Sequence, residues 1–296
     1  MTRRVDIKTG FLCNNNCLFC VQAHKKKHGN RSTEEIKLDL KNSRKTCDDV
    51  VFTGGEITLR KDILELISYA KNLDFKRIQI QTNARMFAYK LFCKDVIKAG
   101  ANEFSPALHG HIPEIHDYLT GSKGSFSQTV QAIKNLRELE QYILTNTVVT
   151  KANYRYLPKL ANLLVKLKVN QFQFAFPHAV GNAEKNFDQI VPFVSMAAPY
   201  IHKGLEVGID ADIKVMAEAM PYCMMQGYEK HVSEKFIPPG EIMDINERCS
   251  DWGLFRKKIG KVKFPQCKIC RYDNICEGPW KEYPERRGSD EFLPVL

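Results

Sequence analysis

The chain has 296 residues, of which 44% are apolar, 26% charged and 10% aromatic. That composition can bury a sizeable core, and it excludes a largely disordered or low-complexity protein. The 44 basic and 34 acidic residues leave a formal charge of +10, which suits a polyanionic partner without specifying one.

In chain order, short β-branched runs alternate with longer amphipathic segments. Residues 5–9 read as a first strand running into a loop with Cys13, Cys17 and Cys20. The run Lys25, Lys26 and Lys27, between His24 and His28, reads as a solvated loop, and no nucleic-acid motif accompanies it. Ser32 and Glu35 form a capping box ahead of a helix carrying Ile36 and Leu40. Val50, Val51 and Phe52 make a second strand ending in Thr53-Gly54-Gly55-Glu56, and Ile63, Leu64, Ile67 and Ala70 give the next helix its spacing. A third strand, 77–81, ends in Thr82-Asn83 and precedes a helix over 89–99, stopped at Gly100. The fourth strand, 103–108, runs into His109-Gly110-His111, with its helix expected over 127–139. A fifth strand (142–150), a helix (157–167) and a sixth strand (171–176) complete the series. Six β–α repeats predict a parallel sheet with right-handed crossovers and functional groups on the loops after the strands. Periodicity alone does not separate a barrel from an open sheet. Beyond residue 181 prolines and glycines become frequent, and a smaller region built around metal is expected.

No membrane span is expected: the longest charge-free apolar stretch, 190–201, is too short and contains Pro192 and Pro199. The N-terminus lacks an apolar signal segment, so a soluble cytoplasmic protein is expected. Ten cysteines in such a protein point to metal or redox chemistry and not to disulfides. Isolated Cys47 and Cys93 read as small buried hydrophobes. Cys13, Cys17 and Cys20 form a C-x3-C-x2-C array that can hold three irons of one cubane, leaving the fourth iron open to an exogenous ligand. Structural zinc would ask for four ligands.

On these residues the sequence resembles the radical S-adenosylmethionine (SAM) enzymes. Their three-cysteine loop follows the first strand of a partial (β/α)6 barrel and carries an aromatic residue before its last cysteine, the place Phe19 holds. Thr53-Gly54-Gly55-Glu56 matches the family's second motif, which receives the amino group of SAM: glycines admit close backbone approach to the ligand, and a carboxylate or carbonyl accepts from an ammonium. Thr82-Asn83 resembles the family's Thr-Asn-Gly, with Ala84 in place of the glycine. Ser105 and Asn146 fall where relatives place groups for the SAM carboxylate or ribose. His109, His111 and His116 are candidate substrate acids or bases. The resemblance spans residues 3–180. It implies an α/β fold with a partial (β/α)6 TIM-like barrel over 1–205. It also implies a [4Fe–4S] cluster on Cys13, Cys17 and Cys20 that binds SAM and cleaves it reductively. The resulting 5′-deoxyadenosyl radical takes a hydrogen atom from the substrate.

Near the C-terminus, Cys267, Cys270 and Cys276 form C-x2-C-x5-C, with Cys223 preferred over Cys249 as a fourth ligand. This resembles the auxiliary-cluster domains called SPASM and twitch, and it implies one auxiliary [4Fe–4S] cluster within a domain over 206–296. A zinc site is the alternative. Trp280 stands where the SPASM motif continues with a cysteine, which favours a single cluster, and the tail 277–283 is expected to pack over it. The substrate implied is a peptide or protein side chain or a small metabolite, with ferredoxin or flavodoxin as one-electron donor. Neither membrane nor nucleic acid is an expected partner. With the first strand at residue 5, no leader-recognition domain is expected before it. The alternatives are an enzyme like the molybdenum-cofactor cyclase, whose C-terminal spacing of C-x2-C-x13-C differs, and a non-catalytic iron–sulfur redox sensor or electron carrier.

Overall fold

The computed structural model describes residues 3–245 and 247–296. Seven strands follow one another as parallel neighbours: β1 (Arg4–Lys8), β2 (Asp49–Thr53), β3 (Arg77–Thr82), β4 (Glu103–Pro106), β5 (Tyr142–Val148), β6 (Gln171–Ala175) and β7 (Lys214–Glu218). On the other side of β1 lies β8 (Gly240–Met243), also parallel, and β9 (Arg248–Cys249) pairs antiparallel with β8. Among the described residues the sheet therefore has nine strands and two edges, and it curves as a partial barrel without closing.

Alternation along the strands explains the two faces. Ile7, Phe52, Ile80 and Phe104 share one row and are completely buried. That row is covered by the helices after each strand: α1 (Thr33–Ser43), α2 (Ile63–Asn72), α3 (Lys90–Ala99), α4 (Pro113–Thr120), α5 (Ser125–Glu138) and α6 (Leu157–Lys166). Residues one step along each strand, Lys8, Thr53, Gln81 and Ser105, belong to the opposite face, which is polar. The capping box on α1 forms as expected, with Ser32 and Glu35 bonding reciprocally. Cys47 and Cys93 are buried in the core.

Three elements depart from the sequence pattern. The helix α4 was not anticipated between His111 and the helix expected over 127–139. After the short turns α7 (Asn182–Lys185) and α8 (Phe187–Ile190), the helix α9 (Val194–Asp210) contains Pro199 and crosses the expected division at residue 205. It survives the lost hydrogen bond because Val194, Ala197, Ala198, Ile201 and Leu205 bury one face, packed on α6. The sheet then continues through β7. Strand β8 has only four residues and owes its existence to the unpaired edge of β1, a tertiary cause that no local pattern reveals. Among the described residues no helix is long and apolar enough to cross a membrane.

Candidate active site

The loop after β1 carries Cys13, Cys17 and Cys20, and backbone bonds hold it to the loop after β2. Gly55 N donates to Gly10 O at 2.7 Å, and Glu56 N to Leu12 O at 2.7 Å. Gly54 has φ +123°, and a Cβ there would lie 2.3 Å from Gly10 O; on Gly55 it would lie 2.3 Å from Leu12 O. The close approach that requires these glycines is thus to the cysteine loop's own backbone.

The Glu56 carboxylate is buried and accepts from Thr58 N at 3.2 Å, Thr58 Oγ1 at 2.6 Å, Thr82 Oγ1 at 2.6 Å and Asn83 N at 2.6 Å. Burial raises its pKa against the pull of those donors. Thr82 also accepts from Ala84 N, and Asn83 Nδ2 donates to Asn14 Oδ1 at 2.6 Å and lies 3.8 Å from Cys13 Sγ. Ala84 stands at φ +65°, the left-handed conformation that a glycine adopts without strain. Thr82 and Asn83 are therefore struts between the first three loops.

Burial pushes the Cys13, Cys17 and Cys20 thiols up, and at Cys17 the charges of Cys20 and Cys13 add to it. Such thiols keep their protons until a metal displaces them. The loop is tied down by residues that its own motif does not announce. Arg85 Nη1 donates to Asn14 O at 2.5 Å and Asn15 Oδ1 at 3.0 Å, and Lys26 Nζ to Asn15 O at 3.1 Å. Lys25 pairs with Asp244 at 2.6 Å, so Lys25 and Lys26 are anchored, while Lys27 stays exposed as expected of a solvated loop. From beyond β6, Asn182 Nδ2 donates to Cys17 O and Asn186 Nδ2 to Leu18 O, each at 2.9 Å, and Asn182 N donates to Cys20 O at 2.9 Å. No signal in a single sequence marks these two asparagines. Lys8, the charged end of an otherwise strand-like run, carries no signal in the sequence; it is half-buried near Cys20, and desolvation lowers its pKa.

Phe19 is buried and packs edge-on against His109, with ring centroids 4.6 Å apart. His109 Nδ1 accepts from Val148 N at 3.2 Å, and His116 Nδ1 from His109 N at 3.0 Å. Both rings are buried, so they serve as acceptors for backbone N–H groups rather than as substrate acids. Burial lowers His116 to about 4. Above its unfolded pKa of about 6.5 the ring is neutral in both states; below it only the unfolded chain takes the proton, so stability falls as pH drops towards 4, by about 3 kcal/mol. The urea midpoint measured from pH 7 to pH 4 should fall less steeply in His116→Asn, which keeps an acceptor for the His109 amide. His111 is partly buried beside Tyr156. Asn146 Oδ1 is buried with no hydrogen-bond partner among the described residues, and Ser105 is buried on β4.

A second group of thiols lies past β7. Cys223, Cys267, Cys270 and Cys276 line one cavity, walled by Phe264, Phe292 and Leu293. Burial, followed by the neighbouring Cys276, Cys270 and Cys267, pushes Cys223 up to about 12. Cys249 lies on β9 opposite Ile242, away from that cavity. Three backbone amides reach the sulfurs, Phe264 N to Cys267, Gly278 N to Cys276 and Val295 N to Cys270, each at 3.4 Å. Trp280 is buried and stacks on His178, from the loop after β6, at 4.0 Å.

A parallel partial barrel that offers three thiols at the C-terminal end of its first strand is a frame for a cluster with an open coordination site. The chain belongs to the radical SAM superfamily: residues 7–164, just over half of it, match that family's model. Its relatives include an AdoMet-dependent heme synthase of Oleidesulfovibrio alaskensis, 28% identical over 52% of this chain and 40% of the relative. An Fe-coproporphyrin III synthase of Methanosarcina barkeri is 30% identical over 59% and 42%, and a probable GTP 3′,8-cyclase of Sulfurisphaera tokodaii 28% over 60% and 56%. The matches thus span roughly half the length of these curated relatives. Among solved structures, Streptococcus suis SuiB bound to S-adenosylmethionine superposes with a TM-score of 0.68 at 16% identity, covering 100% of this chain and 76% of SuiB. SuiB bound to its precursor peptide SuiA gives 0.68 over 100% and 75%, and native anSMEcpe with bound AdoMet 0.67 at 15% identity over 94% and 89%. These likenesses show the fold, and the family with its enzyme-named relatives supports an enzyme. The family implies a [4Fe–4S] cluster and SAM.

Proposed function

We propose that the protein is a radical SAM enzyme that takes a hydrogen atom from a peptide or protein side chain or a small metabolite, with one auxiliary [4Fe–4S] cluster on Cys223, Cys267, Cys270 and Cys276. The observation that carries this reading is the convergence of those four thiols on one cavity, with amide donors on three of the sulfurs, an environment suited to an iron–sulfur cluster. Four protein ligands leave no vacant iron, so the group there would pass electrons and not bind substrate. That argues against a cyclase-like use of the second cluster. Zinc is the alternative occupant. The relatives' names differ in substrate, so kinship supports the chemistry more than the substrate; the peptide reading draws on SuiB, solved with its precursor peptide.

In this reading Cys13, Cys17 and Cys20 hold the first cluster, which when loaded supplies the electron that cleaves SAM. Gly54 and Gly55 offer carbonyls to the SAM ammonium, Ser105 and Asn146 offer polar atoms to its carboxylate or ribose, and Phe19 with His109 closes the apolar side. Glu56, Thr82 and Asn83 keep these loops in register. The free thiols suit a reducing, cytoplasmic setting.

Anaerobically reconstituted protein should contain about eight irons per chain and form 5′-deoxyadenosine from SAM and dithionite. Cys223→Ala should lose up to about four irons, while Cys249→Ala retains them all. Loss of iron from Cys249→Ala instead, or stoichiometric zinc in protein isolated without oxygen, would overturn the ligand assignment. Absence of 5′-deoxyadenosine from a fully loaded, reducible protein would return the chain to the redox-sensor reading.

A further inference from the structure

A groove adjoins the four-cysteine cavity and shares Lys263, Asp273 and Cys276 with it. Segments around 222–235, 257–263 and 273–277 form its walls. Each acidic group in it already has a cationic partner: Glu234 pairs with Lys261 at 2.5 Å, Glu277 with Arg256 at 2.5 Å, Asp273 with Lys263 at 2.7 Å and Glu229 with Arg271 at 3.7 Å. Lys230, Lys235 and Lys257 also line the groove, are exposed, and have no ion-pair partner among the described residues. Beside Cys276, Ile275 is 58% exposed. The result is a rim of unpaired lysines around an exposed apolar side chain, next to one of the four cysteines.

We infer that this groove is the docking face for a flavodoxin, a small acidic carrier whose bound flavin presents an apolar edge. The inference rests on the auxiliary-cluster reading above. Three arguments favour this occupant. Uncompensated lysines on a chain of net charge +10 steer an acidic protein, and electron-carrier interfaces are small, with charge setting encounter and a modest apolar centre. The groove touches Cys276 and none of the residues of the loop carrying Cys13, Cys17 and Cys20, so it serves the second redox group and not the substrate at the first. Its lining offers no exposed aromatic ring on which nucleic-acid bases could stack, Tyr222 being 5% exposed. In the docked pair one electron leaves the reduced flavin and one enters the group held by Cys276, and no covalent bond forms.

The test is the binding of fluorescently labelled flavodoxin to the full-length, anaerobically loaded protein, followed by anisotropy at increasing salt. Binding should weaken with salt, and the double variant Lys230→Glu with Lys257→Glu should bind about tenfold more weakly. Lys94→Glu with Lys98→Glu, the same charge change on the outer face of α3, should bind as the parent does. Dithionite-driven 5′-deoxyadenosine formation should be unchanged in both. Equal weakening by the two pairs would reduce the effect to net charge and overturn the docking face, as would unchanged binding in the groove variant, preference for ferredoxin or a short RNA at the same lysines, or loss of dithionite-driven product. A parent that binds flavodoxin through the groove yet makes no 5′-deoxyadenosine would leave the docking face standing while the enzyme reading fails.

Discussion

Replacing Cys13, Cys17 and Cys20 together by alanine should bring 5′-deoxyadenosine formation down to the uncatalysed background, a loss of roughly a million-fold or more. In the proposed assignment the three thiols are the protein's whole contribution to the first cluster. The fold should survive, because the loop is held from outside: Arg85, Lys26, Asn182 and Asn186 bond to its carbonyls and asparagine side chains, and none of these bonds uses a cysteine side chain. About four irons should remain, those of the second site. The control is therefore internal: iron content and the circular dichroism spectrum report a folded, half-loaded protein while product formation vanishes. Product at more than a trace from a variant with that iron count would sink the assignment of the first site.

A single methyl group at residue 55 should be almost as damaging. In Gly55→Ala the new Cβ would lie 2.3 Å from Leu12 O and 2.6 Å from Phe11 C. Both are backbone atoms of the loop that bears the cysteines, so no side chain can swing aside, and the two loops must part. Overpacking of this kind costs about 3 kcal/mol, which for a domain of this size lowers Tm by about 6–12 °C. The separation also breaks the bonds from Gly55 N to Gly10 O and from Glu56 N to Leu12 O. Iron at the first site and SAM affinity should fall together, while iron at the second site is unaffected. Calorimetry with equilibrium dialysis of SAM measures both; a variant that melts and binds SAM like the parent would contradict the steric account.

The parts of the structure legible in the sequence are those whose cause is local. Alternation marks β1 to β6 to within a residue or two, Ser32 and Glu35 mark the start of α1, and the spacing of three cysteines marks the first site. Two motifs are legible, but the partner of each is not. Gly54 and Gly55 read as room for a ligand, and the room is filled by residues 10–12 of the same chain. Glu56 read as a ligand group, and its carboxylate also holds Thr58, Thr82 and Asn83. The invisible parts are those created by distance along the chain. Strand β8 exists because β1 has an edge to pair, α9 tolerates Pro199 because α6 covers its apolar face, and Asn182 and Asn186 act on carbonyls that spacing alone cannot reach. Cys223 was preferred to Cys249 without a decisive spacing argument, and its place in the second cavity depends on the turn after β7.

The clamp from Asn182 and Asn186 bears on how the protein is born. Their bonds join residues 165 and 168 positions apart, so the cysteine loop leaves the ribosome early and waits for most of the chain before its geometry is complete. Contacts of such long range form late in folding. Until β6 and the turn after it have been synthesised and have docked, the carbonyls of Cys17 and Leu18 lack this brace, and the loop rests on Arg85, Lys26 and the loop after β2 alone. On the proposed reading of Cys13, Cys17 and Cys20, a nascent chain stalled before residue 182 would be a poorer client for iron–sulfur assembly than one that has passed it.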